Sequence, residues 1–399
     1  MVARQSAYRG AFAVLVVTLA LGLATAEVGV RAFRPVPEGA LLPFVERPHM
    51  EAPPDGVPDS YGRFDARLGW SIGRSASTID DGILFRSNDG GFRADREYDR
   101  EPTVGIRRVA AFGDSFVHCD EVNYEDCWTR RLEQSWDRAE VLNFGIPGGA
   151  PDQGWLRYER DGRPYQPCAV LIGFQVENVH RVVNRYRPYY APRSGIALSK
   201  PRFVLDGDGL RLLPNPATSI TMLNDPYWVD QNLGPNDFWY FRGMFAPQPF
   251  DDLILVRLLR TALYNQQRTA IRGKVDAGHP NGHAYSANDE RFQVAGRALI
   301  QFARDVTAAD ATPVVVIFGQ KGEVTSSRHK EPKEYQPLLD WLESERVVTI
   351  DVTDDLAKEA NRAGVDSLFA RGGHLSRRGN DVVGRALAAR LPRLTAATC

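Results

Sequence analysis

The sequence has almost no excess charge and few histidines and cysteines. Its 399 residues include 49 Lys and Arg against 50 Asp and Glu, a net charge of -1, and both signs are interspersed. Proteins that bind nucleic acid need concentrated positive charge, and no basic tract is present, so no nucleic-acid partner is expected. The seven histidines and four cysteines are scattered rather than set at ligand spacing, so neither a metal nor another cofactor is expected.

Internal repeats and low-complexity segments are also missing from the body of the chain. A content of 43% hydrophobic and 25% charged residues is typical of a globular protein with enough apolar material for a large core. The length fits one large domain with an insertion, or two domains. The composition identifies no partner and leaves the oligomeric state open.

The N-terminus carries an apolar run with a basic flank. Arg4 and Arg9 precede residues 11–26, and Glu27 follows. The pattern predicts an export signal over residues 1–33, either cleaved after the small residues at 24–26 or kept as a membrane anchor. A buried helix of a soluble protein is the third alternative. Both export alternatives place the body of the chain outside the cytoplasm, in the periplasm or at the cell surface.

The four cysteines fit an oxidising compartment without fixing a pairing. Cys119 and Cys127 flank a short segment and are the candidates for a local disulfide. Cys168 and Cys399 have no evident partner in the sequence. Four unpaired cysteines are the alternative.

Short apolar runs alternate with helical patterns along the chain. The runs predict five strands, at 109–112, 141–144, 169–174, 313–318 and 347–351. Continuous apolar strands separated by helices indicate an α/β fold, here a three-layer α/β/α sandwich around a central, mostly parallel five-stranded sheet. An insertion at about 180–310 separates the third and fourth strands, and it contains a hairpin at 203–213.

Before the first of these strands, residues 34–105 are rich in proline, glycine and aspartate and predict a lead-in of loops and short strands. The domain itself is expected to cover residues 106–399. In such a sheet the active residues lie at the carboxyl ends of the strands.

Four short blocks stand after predicted strands or before the final helix. They are Gly-Asp-Ser-Phe at 113–116, Asn-Phe-Gly-Ile-Pro-Gly at 143–148, Gly-Phe-Gln-Val-Glu-Asn at 173–178, and Gly-His-Leu-Ser at 373–376. In this order they resemble the blocks of the SGNH hydrolase superfamily, the GDSL-type esterases, and the N-terminal segment resembles its exported bacterial branch. The resemblance implies a flavodoxin-like sheet and a serine hydrolase.

The resemblance also implies a role for each block. Ser115 matches the nucleophile, and its backbone N–H is one donor of the oxyanion hole. Gly145 matches the backbone N–H that is the second donor, and Asn178 matches the side-chain donor. His374 matches the catalytic base, which is chemically apt because histidine takes and returns a proton near neutral pH.

The four blocks do not identify the acid that orients the histidine. The family commonly places an Asp two or three residues before the histidine, where this chain has Gly372 and Arg371. Asp366 is the nearest upstream carboxylate, so we expect it to curl back towards His374. Otherwise a backbone carbonyl holds the imidazole, and the site is a Ser-His dyad.

Together these features predict a serine esterase or acyltransferase that forms an acyl-enzyme on Ser115. By analogy with similar anchored proteins, the expected substrate is an O-acyl, in particular O-acetyl, ester of a carbohydrate or other exported molecule. A lipase or thioesterase for longer acyl chains is the enzymatic alternative. A non-catalytic polysaccharide-binding or assembly protein on the same fold is the other.

Overall fold

The computed structural model describes residues 2–33, 40–42, 51, 60–192, 194–272 and 284–399. Within the predicted lead-in, residues 34–39, 43–50 and 52–59 lie outside the described residues. The strands in chain order are β1 (Gly62–Asp65), β2 (Gly69–Ile72), β3 (Ser77–Asp80), β4 (Ile83–Arg86), β5 (Arg107–Gly113), β6 (Ala139–Gly145), β7 (Ala169–Gln175), β8 (Arg202–Asp206), β9 (Gly209–Leu213), β10 (Thr312–Phe318) and β11 (Thr349–Asp351).

The helices connect these strands and cover the sheet. In chain order they are α1 (Val2–Phe33), α2 (Ser115–His118), α3 (Trp128–Ser135), α4 (Pro151–Arg157), α5 (Asn178–Arg181), α6 (Arg187–Tyr190), α7 (Pro226–Leu233), α8 (Ile254–Arg272), α9 (Glu290–Thr307), α10 (Lys321–Arg328), α11 (Gln336–Ser344), α12 (Thr353–Ala363) and α13 (Arg377–Leu394).

A five-stranded parallel sheet forms the centre of the molecule. Its strand order is β11-β10-β7-β5-β6, and every neighbouring pair is parallel. The first core strand of the chain, β5, therefore lies between the second and the third. This order has its switch point between β5 and β7, where a crevice opens at the carboxyl ends of the strands.

The apolar run at 109–112 becomes β5, the strand in the middle of the sheet. Val109 and Ala111 join one buried cluster, and Ala110 and Phe112 join another. Successive side chains of a strand point to opposite faces, so an unbroken apolar run is stable only where both faces are covered. Apolar and polar residues do not alternate in this run because the strand is buried on both sides.

Helices cover both faces of the sheet. On one face α3, α12 and α13 pack through residues such as Trp128 and Leu356. On the other face α4, α9 and α11 pack through residues such as Leu299 and Leu338. The predicted three-layer α/β/α sandwich is confirmed, and all five core strands are parallel.

Two other parts of the chain lie against this sandwich. The described part of the lead-in forms the antiparallel pairs β1-β2 and β3-β4. Between β7 and β10 the chain forms the predicted hairpin, β8-β9, and helices α6 to α9. Aromatic side chains of this insertion, including Tyr189, Trp239 and Tyr264, form a separate buried cluster, so they act as a core of their own.

One long N-terminal helix precedes the body. In α1 the segment Ala11–Phe33 is long and apolar enough to cross a membrane, with a mean hydropathy of 2.1. A signal sequence meets the same test, so the segment is compatible with either export alternative. Near its end, Glu27 accepts hydrogen bonds from the backbone N–H groups of Ile254 and Leu255, at 2.8 and 3.0 Å, and so caps the start of α8.

The cysteine pairing differs from the expectation. Cys168, directly before β7, forms a disulfide with Cys399 at the end of the chain. Cys119 and Cys127 are buried free thiols, so the expected local disulfide is wrong. The two bonded cysteines are 231 residues apart in sequence, and only the packing of α13 along the sheet brings their Cα atoms to 5.2 Å.

Candidate active site

The chain turns sharply where β5 ends. Gly113 has a φ of +150°, and a Cβ there would lie 2.7 Å from Val117 Cγ2 and 3.0 Å from the Gly173 carbonyl oxygen. Asp114 then caps α2 by accepting a hydrogen bond from the Phe116 N–H at 2.9 Å. Ser115 is therefore the first residue of a short helix at the carboxyl edge of the sheet, beside the switch point.

Ser115 and His374 meet although 259 residues separate them. The distance from Ser115 Oγ to His374 Nε2 is 2.9 Å, within reach for direct proton transfer. The histidine lies in the loop before α13, which packs against α3. The structure thus brings the predicted nucleophile and the predicted base together.

The acid beside His374 is Glu121. Its Oε2 lies 2.8 Å from His374 Nδ1 and also accepts the His374 backbone N–H at 3.1 Å. Its Oε1 accepts the Gly372 N–H at 2.6 Å. A Cβ on Gly372 would lie 2.8 Å from this carboxylate, so a side chain there would push the carboxylate away.

These hydrogen bonds keep Glu121 ionised. Partial burial alone would raise the pKa of its carboxyl, but the N–H groups of Gly372 and His374 outweigh that effect and leave the pKa below its ordinary value. An ionised carboxylate at Nδ1 fixes the tautomer in which Nε2 faces Ser115 and is free to accept its proton.

Asp366 does not take the position expected of it. Its side chain is 84% exposed and forms an ion pair with Lys321. The residue lies in a 3-10 turn, Val365–Leu368, that directs the carboxylate outward while Glu121 occupies the place beside Nδ1. The expectation that Asp366 orients His374 is therefore wrong for this structure.

Sequence reasoning missed Glu121 because no local signal selects it. Five acidic residues lie between positions 114 and 126, and the glutamate is 253 residues from His374. The one indirect signal is the Gly-Gly pair before His374, since it leaves room for an approaching carboxylate.

A buried arginine from the lead-in supports the loop that carries Glu121. Arg93 Nη1 donates to the carbonyl oxygens of His118 and Cys119, at 2.7 and 2.6 Å, and Nη2 donates to that of Val122 at 2.6 Å. Three carbonyls around Glu121 are thus held by one planar guanidinium. The position of the acid depends on a residue outside the sheet-forming part of the chain.

Asn178 lies across the switch point from Ser115. Its Nδ2 donates to Asp114 Oδ2 at 2.9 Å, and its Oδ1 accepts the Gln175 N–H at 3.2 Å. A side-chain amide has two N–H bonds, so one remains for another acceptor. The backbone N–H of Ser115, in the first turn of α2, makes no hydrogen bond to the described part of the chain.

Gly145 differs from its expected role. Its N–H donates to Asn143 Oδ1 at 3.0 Å and is not available to a substrate. Glycine is required here for another reason, because a Cβ would lie 2.2 Å from the backbone nitrogen of His118. The matched glycine therefore serves the close packing of the nucleophile turn.

The next turn presents a different N–H. The Gly149 N–H donates to the Ile146 carbonyl oxygen at 2.9 Å, which places Pro147 and Gly148 at the centre of a β-turn. Gly148 has a φ of +66°, as the second central position of a type II turn requires. Across the described ranges its N–H has no hydrogen-bond partner.

A second polar chain lies close to His374. Tyr61 Oη is 2.6 Å from His118 Nε2, and His118 Nδ1 contacts Asp120. Asp120 Oδ2 is 3.9 Å from His374 Nε2. Burial raises the pKa of Asp120, but its contact with His118 and the nearness of His374 outweigh burial and leave that pKa below its ordinary value. A second carboxylate thus faces the ring nitrogen that would become protonated.

A cavity of about 530 Å³ opens in front of His374. The β3-β4 hairpin supplies one wall, with Asp80 and Asp81, and the loop before α13 supplies another, with Arg371. These charged groups share the lining with apolar side chains such as Ile83 and Phe85, and the space is called the polar cavity after its charged groups. Within the described ranges, no group of three or more His, Cys, Asp or Glu residues is arranged to hold a metal ion.

Comparisons with known proteins find solved structures of lipolytic proteins and esterases that are similar to this chain. A member of the lipolytic G-D-S-L family from Veillonella parvula is 11% identical, with 72% of this chain and 99% of that chain covered and a TM-score of 0.34. A lipase/acylhydrolase from Enterococcus faecalis is 11% identical, with 72% and 95% covered and a TM-score of 0.35. An acetylxylan esterase from Geobacillus stearothermophilus is 11% identical, with 72% and 94% covered and a TM-score of 0.37.

The first of these structures is described as a member of the family that the four sequence blocks resemble. At such low identities and TM-scores the likeness carries no argument about activity. No family model matches the sequence, and no curated protein matches it.

Proposed function

We propose that this chain is a serine esterase or acyltransferase of the SGNH hydrolase type. The observation that carries the proposal is the continuous path from Ser115 Oγ through His374 to Glu121, with distances of 2.9 and 2.8 Å. A serine hydroxyl is a poor nucleophile until a base accepts its proton, and an oriented imidazole supplies that base.

The reaction follows from the positions of these groups. Ser115 Oγ attacks the ester carbonyl carbon while His374 Nε2 takes its proton. The carbonyl oxygen becomes negatively charged in the tetrahedral intermediate, and collapse expels the alcohol, which receives the proton from His374. An acyl-Ser115 ester remains. Water, or a hydroxyl group of an acceptor, then attacks it with His374 again acting as base.

We propose three donors for the developing oxyanion. They are the Ser115 N–H, the remaining N–H of the Asn178 side chain, and the Gly148 N–H in place of the one on Gly145. A donor aimed at the developing charge contributes on the order of 3 kcal/mol in comparable enzymes. Glycine at 148 fits this role, because the left-handed backbone it permits leaves the N–H of the turn exposed.

The alcohol portion of the substrate is proposed to be a carbohydrate. The polar cavity in front of His374 supports this, since carboxylates such as Asp80 and Asp81 accept hydrogen bonds from sugar hydroxyls. An O-acetyl ester is the smallest substrate of this class. The acetylxylan specificity of one similar structure belongs to that protein, and xylan is one candidate among polysaccharides here.

The proposed location is extracytoplasmic. The apolar helix at Ala11–Phe33 follows Arg4 and Arg9, and basic flanks of this kind stay on the cytoplasmic side. The Cys168–Cys399 disulfide supports the same side, because disulfides persist in oxidising compartments. The alternative of a non-catalytic binding protein rests on the lack of an acid beside the histidine, and the Glu121 carboxylate beside His374 argues against it.

Replacement of Ser115 tests the proposal directly. Ser115→Ala is expected to lower kcat for p-nitrophenyl acetate by about 10⁴-fold or more and to abolish labelling by a fluorophosphonate probe. Ser135→Ala is the matched control, because Ser135 is an exposed serine on α3, and it should keep wild-type turnover and labelling. Unchanged turnover in Ser115→Ala would refute the proposed nucleophile.

A further inference from the structure

We propose that a second, apolar cavity beside the site binds the acyl chain of the substrate, so that the preferred acyl group has several methylene groups beyond acetyl. This inference rests on the proposed function and deepens it. The cavity measures about 310 Å³ and its walls include Phe64, Trp70, Ile72, Ile146, Ile196 and Leu198. A pocket with such walls favours a hydrocarbon chain over a sugar.

The two cavities adjoin each other. Tyr61 and Pro147 line both the polar cavity and the apolar one. The Tyr61 hydroxyl is turned towards His118 at 2.6 Å, so its polar group faces the polar side. The Trp70 Nε1 donates to the Pro147 carbonyl oxygen at 3.0 Å and fixes the turn that separates the two spaces.

The chemistry assigns one substituent of the ester to each cavity. The leaving alcohol must lie near His374 Nε2, because that atom returns the proton to it. His374 lines the polar cavity, so the alcohol belongs there. The acyl chain, the other substituent of the carbonyl carbon, then has to extend away from His374.

The position of Gly148, one of the proposed oxyanion donors, also directs the acyl chain towards the apolar cavity. Gly148 lies so close to Ile196 that a Cβ would approach the Ile196 Cδ1 to 2.4 Å. Ile196 is part of the wall of the apolar cavity. An ester carbonyl held at the Gly148 N–H therefore places its acyl substituent at the entrance of that cavity.

A series of esters with a common alcohol measures this binding. The intact chain is assayed with p-nitrophenyl acetate, butyrate, hexanoate, octanoate and decanoate. Each buried methylene is worth about 0.8 kcal/mol, or about fourfold. We therefore expect kcat/KM to rise at least tenfold between acetate and hexanoate and to fall once the chain outgrows the cavity. A flat or falling profile from acetate onwards overturns the inference.

Filling the cavity should remove the preference. Ala197 is a half-buried residue of the wall, and Ala197→Trp is expected to lower the hexanoate-to-acetate ratio of kcat/KM by at least tenfold. Ala309→Trp is the matched control, because Ala309 is also half-buried, lies just after the end of α9 and lines neither cavity. It should leave the ratio unchanged.

A second variant keeps the test decisive if Ala197→Trp folds poorly. Ile196→Ala enlarges the cavity and should move the optimum of the chain-length profile towards longer acyl chains. An unchanged chain-length profile in Ile196→Ala overturns the inference. Failure of the proposed function looks different: no ester is turned over, or turnover survives Ser115→Ala.

Discussion

Glu121 combines a charged side chain with a backbone conformation that glycine or asparagine usually adopts. Its φ is +67°, and Cys119, two residues earlier, has a φ of +62°. Left-handed conformations cost free energy in residues with a Cβ, and they persist where the surrounding structure holds them. Here the three N–H groups on the carboxylate and the Arg93 contacts to neighbouring carbonyls hold the loop. The strain is located where the acid meets His374.

Removal of the charge at this residue tests its role. We expect Glu121→Gln to lower kcat/KM for p-nitrophenyl acetate by about 10²- to 10⁴-fold, because an amide no longer stabilises the imidazolium or fixes its tautomer. Asp366→Asn is the matched control and should change kcat/KM less than twofold, since Asp366 is exposed and paired with Lys321. A larger loss in Asp366→Asn than in Glu121→Gln would contradict the assignment.

The charge of Glu121 should also make the stability of the protein depend on pH. The folded pKa of Glu121 lies below its ordinary value, so its ionised form stabilises the fold above the ordinary glutamate pKa. This contribution is lost as the pH falls through the lowered folded value. The difference in free energy of unfolding between wild type and Glu121→Gln should therefore be present at pH 7 and shrink in strong acid. Urea titrations at several pH values measure it.

At the scale of elements, the lead-in is part of the site. The β3-β4 hairpin provides a wall of the polar cavity, β1 and β2 provide walls of the apolar one, and Arg93 holds the Glu121 loop. The five-stranded sheet supplies Ser115 and Asn178, but it does not complete either cavity.

Substitution of Arg93 tests whether the Glu121 loop depends on the lead-in. Arg93→Lys removes the planar fork and leaves buried carbonyl oxygens without donors, which costs about 2–4 kcal/mol. We expect a lower Tm together with a lower kcat. Arg96→Lys is the control, because Arg96 is half-exposed and its ion pair with Glu133 is worth less than about 1 kcal/mol. A normal kcat in folded Arg93→Lys would show that the loop keeps its position without the guanidinium.

At the scale of the whole molecule, the disulfide ties the end of the chain to the start of a central strand. Cys399 follows α13, and Cys168 precedes β7. The bond closes most of the domain, including the insertion, into one loop. Such a link mainly restricts the unfolded chain.

Cys399→Ser should lower the free energy of unfolding by about 2–4 kcal/mol, with esterase activity retained below the lowered Tm. Alkylation of the denatured, unreduced protein should add two labels, on Cys119 and Cys127, and four after reduction. The absence of labels before reduction would contradict the pairing described here.

The sequence by itself determined the sheet, and its resemblance to the SGNH hydrolases implied Ser115 and His374 as a candidate catalytic pair. Each apolar run predicts a buried strand on its own, because only a strand that is covered on both faces is stable with apolar residues on both. The five core strands were predicted in this way. Ser115 and His374 stand in turn-forming blocks whose neighbours, such as Gly113, are required by the local backbone. Their meeting depends on the packing of α13 against α3, because His374 lies in the loop that leads into α13.

Only the tertiary structure decided which carboxylate lies beside His374, which backbone N–H groups near Ser115 are already hydrogen-bonded, and which cysteines pair. Each depends on a contact whose partner lies elsewhere in the chain or is one of several equal candidates. Glu121 is one of five nearby acidic residues, the Gly145 N–H is consumed by Asn143, and Cys168 meets Cys399 across 231 residues. No periodicity or spacing in the sequence indicates such contacts. They depend on how helices, strands and loops pack together and not on the conformation of any single element.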